Sequence, residues 1–136
     1  MKKISIIVPT YNEQEVIEMF YNETSKVLQP IMDKYTYEII FVDDGSQDET
    51  LNKLKELNNL DKRVNIISFS RNFGKEAGMY AGLKNATGDI CVVMDSDLQH
   101  DPNIILQMLK YIEEGYDTVT TIRNRKGESK IKSFFS

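Results

Sequence analysis

The stretch that decides the fold is I-C-V-V-M-D-S-D, residues 90–97. Five apolar residues that lead into two carboxylates predict a buried strand ending at a ligand site, because paired buried acids are costly unless a cation compensates them. In an open α/β sheet, ligands collect at the carboxyl ends of the strands. Oxygen ligands there suit Mg²⁺ or Mn²⁺ held together with substrate phosphates, so we expect Asp95 and Asp97 to bind a metal. The alternative is a solvated acidic turn that precedes a helix.

Strand and helix signals alternate along the rest of the chain. Runs rich in β-branched and aromatic residues predict further strands at residues 4–8, 37–42, 64–69 and 118–122. Apolar residues at helical spacing predict helices at residues 16–31, 46–57, 77–86 and 101–115. Capping-box patterns, Asn12 with Glu15 and Ser46 with Glu49, mark the starts of the first two helices. This order predicts an α/β, Rossmann-like fold, in which a mainly parallel sheet has helices on both faces.

Composition limits the class of protein. A chain of 136 residues, 40% hydrophobic and 28% charged, is long enough for a domain with a single core. Its single cysteine, Cys91, excludes an internal disulfide framework, fits a reducing compartment and is predicted to be a core residue of its strand. The first apolar run is too short for a signal peptide, and no stretch of about 20 apolar residues could span a membrane. A net charge of −4 argues against a general nucleic-acid binder.

Charge is distributed unevenly along the chain. Residues 123–136 contain five basic residues and one glutamate, a net charge of +4, which leaves −8 for the remainder. We therefore divide the chain into a domain at residues 1–122 and a basic tail at residues 123–136. The tail could meet phosphate groups or an anionic lipid surface, and the alternative is a solvated end.

Acidic side chains also follow the first two predicted strands. Tyr11 and Glu13 lie after the first strand, and Asp43 and Asp44 lie after the second. A carboxylate can accept a hydrogen bond from the ring N–H of a nucleobase, and a tyrosine can stack on the face of the base. One of the adjacent aspartates could instead cap a helix, where an acid contributes about 0.3–1 kcal/mol. Three acidic strand exits in one small domain favour a shared nucleotide site.

Four ordered segments carry a resemblance to a known family. They are I-S-I-I-V-P-T-Y-N-E, Y-E-I-I-F-V-D-D-G-S-Q-D-E-T, S-R-N-F-G-K-E-A and M-D-S-D-L-Q-H-D-P, beginning at residues 4, 37, 70 and 94. Together they resemble the inverting family 2 glycosyltransferases with a GT-A fold, above all the branch of polyprenyl-phosphate glucosyltransferases and dolichol-phosphate mannose synthases. The resemblance implies transfer of a sugar, with inversion, from a UDP- or GDP-sugar to an acceptor such as a polyprenyl phosphate. It also implies Mg²⁺ or Mn²⁺ as the cofactor.

The resemblance implies roles for individual positions. The nucleotide-binding positions are Pro9, Tyr11, Glu13, Asp43, Asp44, Arg71, Lys75, Asp95 and Ser96, with Asp44 or Asp43 accepting from the base. The metal ligands are Asp95 and Asp97, with Gln99 as a further metal-facing position. The catalytic set is Asp97, Arg123 and Arg125, whose arginines approach the donor diphosphate or the acceptor phosphate. His100 is expected to face solvent or to support a metal ligand.

Members of this branch are longer than this chain and continue into membrane-spanning helices. We therefore expect a truncated donor-binding domain, whose full-length form lies at the cytoplasmic face of a membrane. Two alternatives stay open. One is a non-catalytic module that binds a nucleotide-sugar. The other is a nucleotidyltransferase, although the glycine-rich phosphate loop expected after its first strand is absent here.

Overall fold

The computed structural model describes residues 1–97, 101–123 and 129–135. The chain divides into two compact units, Met1–Leu98 and Gln99–Ser136. The division predicted from the sequence, at residue 122, was based on charge and not on compactness, so these units do not test it.

The first unit is built on a parallel four-stranded sheet. Its strands are Lys2–Thr10 (β1), Tyr35–Asp43 (β2), Val64–Ser68 (β3) and Ile90–Val93 (β4), in the spatial order β3-β2-β1-β4. Its helices are Ile17–Leu28 (α1), Thr50–Leu60 (α2) and Lys75–Asn85 (α3). The predicted α/β class is confirmed, because alternating strands and helices must cross over to bring parallel strands side by side.

Helices cover both faces of this sheet. On one face, Phe20 of α1 packs edge-on against Phe41 of β2, with ring centroids 6.0 Å apart. On the other face, α3 lies unusually close, because a Cβ atom on Gly82 would collide with Cγ2 of Ile7. A Cβ on Gly78 would lie 3.7 Å from Cγ1 of Val42, an ordinary contact. The small residues of α3 therefore set its distance from the sheet.

The strand order places a crevice beside β1. The chain runs from β1 outward through β2 and β3, and then returns to add β4 on the opposite side of β1. The direction of winding thus reverses between β1 and β4, and ligands of open α/β sheets bind at the carboxyl ends of the strands at such a point. The segments that leave β1 and β4 here are residues 11–16 and residues 94–97.

Two helix starts differ from the capping patterns seen in the sequence. Asn12 adopts a left-handed backbone conformation, φ 50°, and α1 begins at Ile17 without a side-chain cap. At α2 the cap comes from Asp48, whose Oδ1 accepts from the backbone N–H of Thr50 at 2.9 Å. Both polar segments instead form loops that bind each other, as described below.

The second unit contains a helix and a two-stranded sheet. The helix is Ile104–Glu113 (α4), and the antiparallel strands are Tyr116–Arg123 (β5) and Ser129–Phe135 (β6). A strand near 118–122 was predicted correctly, but its assignment to the parallel sheet was wrong. Strand propensity does not specify the partner, and the neighbour nearest in sequence pairs with β5 instead. The stretch 129–135, predicted only as part of a tail, is a strand.

Two further observations concern the surface. Cys91 is exposed, so its prediction as a core residue was wrong. Its strand, β4, ends the order of the four-stranded sheet and pairs with β1 alone in that order. In the described parts of the chain, no helix combines the length and apolar character needed to cross a membrane.

Candidate functional site

The loop that leaves β1 is fixed by the loop that leaves β2. Asn12 Oδ1 accepts from the backbone N–H of Gln47 at 2.9 Å, and Gln14 Oε1 accepts from that of Glu49 at 2.9 Å. In return, the N–H of Glu13 donates to Thr50 Oγ1 at 2.8 Å. These bonds hold Glu13 at the crevice. They also shape an open depression of about 260 Å³ that residues 12–16 line together with Asp48.

Three aspartates act on Glu13 at this edge of the sheet. Burial raises the pKa of Glu13, and the carboxylates of Asp97, Asp95 and Asp48 raise it further, in that order. A shift of this kind requires the charges to lie close enough to repel. The structure therefore brings Glu13, Asp95 and Asp97 into one negative field, as the acidic strand exits predicted. Asp48 was not among the predicted site residues.

One cation contacts this cluster directly. The ammonium Nζ of Lys75, the first residue of α3, lies 2.6 Å from Oδ1 of Asp95. The Lys75 side chain is 59% exposed and that of Asp95 is 28% exposed. The resemblance placed both residues near the nucleotide. It gave no sign of this ion pair, because the two residues lie 20 positions apart in the sequence.

Asp44 fixes the loop that leads into α3. Its Oδ1 accepts from the backbone N–H of Phe73 at 2.7 Å and its Oδ2 from that of Gly74 at 3.0 Å. Gly45, with φ +73°, packs so closely on the 71–72 backbone that a Cβ atom would collide with Arg71. A helix cap was the stated alternative for one of the two aspartates. Asp44 does not fill that role in a strict sense: it accepts from the two residues before α3, and the helix itself has no side-chain cap.

Asp43 differs from its neighbour in its hydrogen bonding. The residue is 1% exposed, and none of the described residues donates a hydrogen bond to its buried Oδ1. The same holds for Oγ of Ser96, also 1% exposed. Buried polar atoms without partners are uncommon in native proteins, and a missing ligand is one physical explanation. Both atoms belong to the segments that end β2 and follow β4, at the carboxyl edge of the sheet.

The other predicted site residues lie in the first unit, in the second unit or outside the described residues. Pro9 is half-buried in β1, whereas Tyr11 is 42% exposed. Arg71 is exposed and its guanidinium carbon lies 4.6 Å from the ring centroid of Phe73. Arg123 ends β5 in the second unit. Gln99, His100 and Arg125 lie outside the described residues.

Asp95 and Asp97 are the candidate metal ligands of this site. Among the residues that the structure describes, no group of three or more His, Cys, Asp or Glu side chains is arranged to hold a metal ion. Asp95 and Asp97 nevertheless supply hard oxygen donors within a negative field. Mg²⁺ and similar ions are commonly bound through one or two carboxylates and completed by substrate phosphates and water. The donor set therefore fits a divalent ion that arrives with a phosphate-bearing ligand.

Fold and strand order define the class first: this is an α/β domain of the GT-A type. Solved structures share it, including that of Staphylococcus aureus TarS residues 1–349 in complex with UDP. That structure superimposes with a TM-score of 0.70 and 28% identity, over 86% of this chain and 34% of the other. The chain belongs to glycosyltransferase family 2, whose model, described as glycosyl transferase family 2, matches residues 5–133.

Curated relatives agree with this assignment. The putative glycosyltransferase CsbB of Bacillus subtilis is 46% identical over 133 residues, which is 98% of this chain and 40% of that protein. The undecaprenyl-phosphate 4-deoxy-4-formamido-L-arabinose transferase of Proteus mirabilis is 36% identical over 130 residues, 95% of this chain and 39% of that protein. The chain thus spans about two fifths of the length of these relatives.

Proposed function

We propose that this chain is the donor-binding part of a metal-dependent glycosyltransferase. It would move a sugar, with inversion, from a UDP- or GDP-sugar to a polyprenyl phosphate. Family membership supports the reaction class, and the named substrate of the Proteus relative supports a lipid phosphate acceptor. The likeness to a UDP complex supports a nucleotide donor. The chain would act at the cytoplasmic face of a membrane, where such an acceptor is held.

The observation on which this proposal depends is the acidic cluster at the reversal of the strand order. Asp95 and Asp97 follow β4, and Glu13 follows β1, so the three meet where an α/β sheet binds ligands. Negative charge that raises the pKa of Glu13 has no evident structural use, because it disfavours the ionised form of that side chain. A bound divalent ion would compensate that charge.

Each part of the donor has a candidate partner. Asp95 and Asp97, with Gln99, would hold Mg²⁺ or Mn²⁺, which supplies Lewis-acid stabilisation of the charge on the leaving diphosphate. Tyr11, being exposed, can stack on the base. We assign the ring N–H of the base to Oδ1 of Asp43, since both oxygens of Asp44 already accept from the loop before α3. Arg123 and Arg125 would bind phosphate oxygens, which suit the planar guanidinium.

The acceptor decides what further chemistry the site needs. A lipid phosphate is an anion at neutral pH and can attack the sugar without a general base. The protein then has to hold the donor, screen the repulsion between two phosphate groups and exclude water. Basic side chains at the acceptor side would serve the second of these needs.

The test is metal-dependent binding of UDP and GDP, measured by calorimetry in Mn²⁺ and again in EDTA. Asp97→Ala should weaken binding in Mn²⁺ about tenfold or more, the loss of one charged interaction, and change little in EDTA. Asp33→Ala is the matched control, since Asp33 is an exposed aspartate between α1 and β2. Equal affinities for Asp97→Ala and the parent in saturating Mn²⁺ would refute the metal assignment.

Binding without transfer would support the alternative of a non-catalytic module. Hydrolysis of UDP-glucose and GDP-mannose, followed with and without Mn²⁺, separates the two: donor turnover by this chain identifies it as an enzyme.

A further inference from the structure

The Lys75–Asp95 ion pair places a cation of the protein itself on a carboxylate proposed to hold the metal. We propose that Lys75 is a positioning residue that stands in for the divalent ion at Asp95, and that moves to the donor diphosphate when the metal binds. This inference rests on the proposed function and adds an order of events to it. Before the donor arrives, Lys75 neutralises Asp95; afterwards the metal does so and the ammonium is free to pair with phosphate.

The contact geometry supports an exchangeable pair. Nζ of Lys75 lies 2.6 Å from Oδ1 of Asp95, which is hydrogen-bonding distance for a charged pair. The lysine is 59% exposed while the aspartate is 28% exposed, so the lysine is the partner with room to leave. A lysine has a flexible four-carbon stem and no fixed bonding fork, which allows its ammonium to change partners.

The position of the lysine stem is fixed even though its end is free. Lys75 follows Gly74, whose N–H donates to Asp44 Oδ2, and the N–H of Phe73 donates to the other oxygen of that carboxylate. Close packing at Gly45 holds the preceding backbone as well. The ammonium therefore swings from one anchored point, which limits its partners to groups at this edge of the sheet.

Charge explains why a stand-in is useful. Asp97, Asp95 and Asp48 raise the pKa of Glu13, so negative charge is concentrated around Glu13 at the crevice. Lys75 offsets part of that charge in the metal-free protein. A diphosphate that enters with a metal brings new negative charge, and the released ammonium at the first turn of α3 is placed to meet it.

This exchange predicts effects of opposite sign for one substitution. Lys75→Met, which keeps most of the stem, should tighten Mn²⁺ binding in the absence of nucleotide about two- to fivefold, because the ion no longer displaces a partner. In the presence of Mn²⁺, the same variant should bind UDP or GDP about tenfold more weakly, because a charged contact to the diphosphate is lost. A purely structural role would not improve metal binding.

The measurement is a Mn²⁺ titration followed by electron paramagnetic resonance of the free ion, paired with calorimetry of UDP and GDP. Lys84→Met is the matched control, an exposed lysine at the other end of α3, and should match the parent in both assays. Lys75→Arg should restore nucleotide binding. Circular dichroism checks that each variant is folded.

Lys75→Met with unchanged or weaker Mn²⁺ binding overturns the exchange, as does unchanged nucleotide affinity. Failure of the proposed function gives a different result: the unaltered chain would bind UDP and GDP equally in Mn²⁺ and EDTA. If the unaltered chain binds no Mn²⁺ alone but Lys75→Met does, the exchange is supported, because Lys75 then keeps the ion from Asp95.

Discussion

Two buried carboxylates on one strand, β2, have opposite surroundings. Glu38, toward the amino end, accepts from Ser5 Oγ at 2.6 Å and from both the N–H and Oγ1 of Thr87 at 2.8 Å. Asn65 donates to its other oxygen at 3.2 Å. Asp43, at the carboxyl end, has a buried Oδ1 that accepts from no residue in the described part of the chain. The two carboxylates share a strand, are both buried and are both acidic. They differ in whether the described residues supply their hydrogen bonds.

Carboxyl groups at the two ends of the sheet also differ in the direction of their pKa shifts. Burial alone would raise the pKa of Glu38, but the hydrogen bonds from Ser5 and Thr87 and the charge of Lys3 outweigh it and lower the pKa. At the other end burial and neighbouring acids both raise the pKa of Glu13. At Glu38 the protein supplies the hydrogen bonds that keep the carboxylate ionised, whereas at Glu13 its own charges oppose ionisation.

The largest expected effect is the loss of stability in Glu38→Ala. Removing this carboxylate leaves the donors of Ser5 and Thr87 unpaired in a buried place, which should lower the free energy of unfolding by about 2–4 kcal/mol. Urea denaturation measures the loss. Glu56→Ala, at an exposed position of α2, should change stability by less than about 0.5 kcal/mol. Any loss of UDP or GDP affinity in folded Glu38→Ala would contradict the division between the two ends.

Next in size are the effects of replacing the adjacent aspartates. Asp43→Ala should weaken UDP or GDP binding about tenfold in EDTA without lowering stability, because it removes an unsatisfied group that the base would use. Asp44→Ala should lower the free energy of unfolding by about 1–2 kcal/mol, because two backbone N–H groups of the loop before α3 lose their acceptors. Calorimetry and urea denaturation on both variants separate the roles. Normal binding by Asp43→Ala would assign base recognition elsewhere.

The smallest effect is expected at Glu13. Because its pKa is raised in the folded chain, its contribution to stability is complete below the ordinary value of 4.5 and is lost as the pH rises through the raised value. Glu13→Gln should therefore be slightly more stable than the parent at pH 7, by about 0.5 kcal/mol after solvent screening. Glu38 has the opposite sign, since its contribution is present above 4.5 and is lost as the pH falls through its lowered pKa. Thermal melts from pH 3 to 8 should show both signs, and identical profiles for Glu13→Gln and the parent would refute the Glu13 part.

Much of the fold could be predicted from local pattern. The four parallel strands were predicted because each is a short apolar run bounded by turn signals, and the acidic strand exits pointed to the correct edge of the sheet. β6 was missed because its Lys130 and Lys132 were interpreted as part of a basic tail. Its period-two alternation of Lys with Ile131 and Ser133 was the available signal.

The division of roles within the site could not be predicted in this way. Asp43 and Asp44 are adjacent and chemically identical, and only the path of the chain places the amides of the loop before α3 within reach of one of them. The same holds for Lys75 and Asp95, which lie 20 residues apart on different elements. Such pairings depend on tertiary contacts that spacing in the sequence does not encode.

The glycines that seat α3 on the sheet also restrict how this helix can move. A helix separated from a sheet by long side chains can slide or roll through small rotamer changes. Backbone in direct contact with Ile7 has no such freedom, because close-packed interiors yield little. α3 therefore has a fixed distance from the sheet, and the freedom to move at this edge is left to exposed side chains at its end, such as that of Lys75.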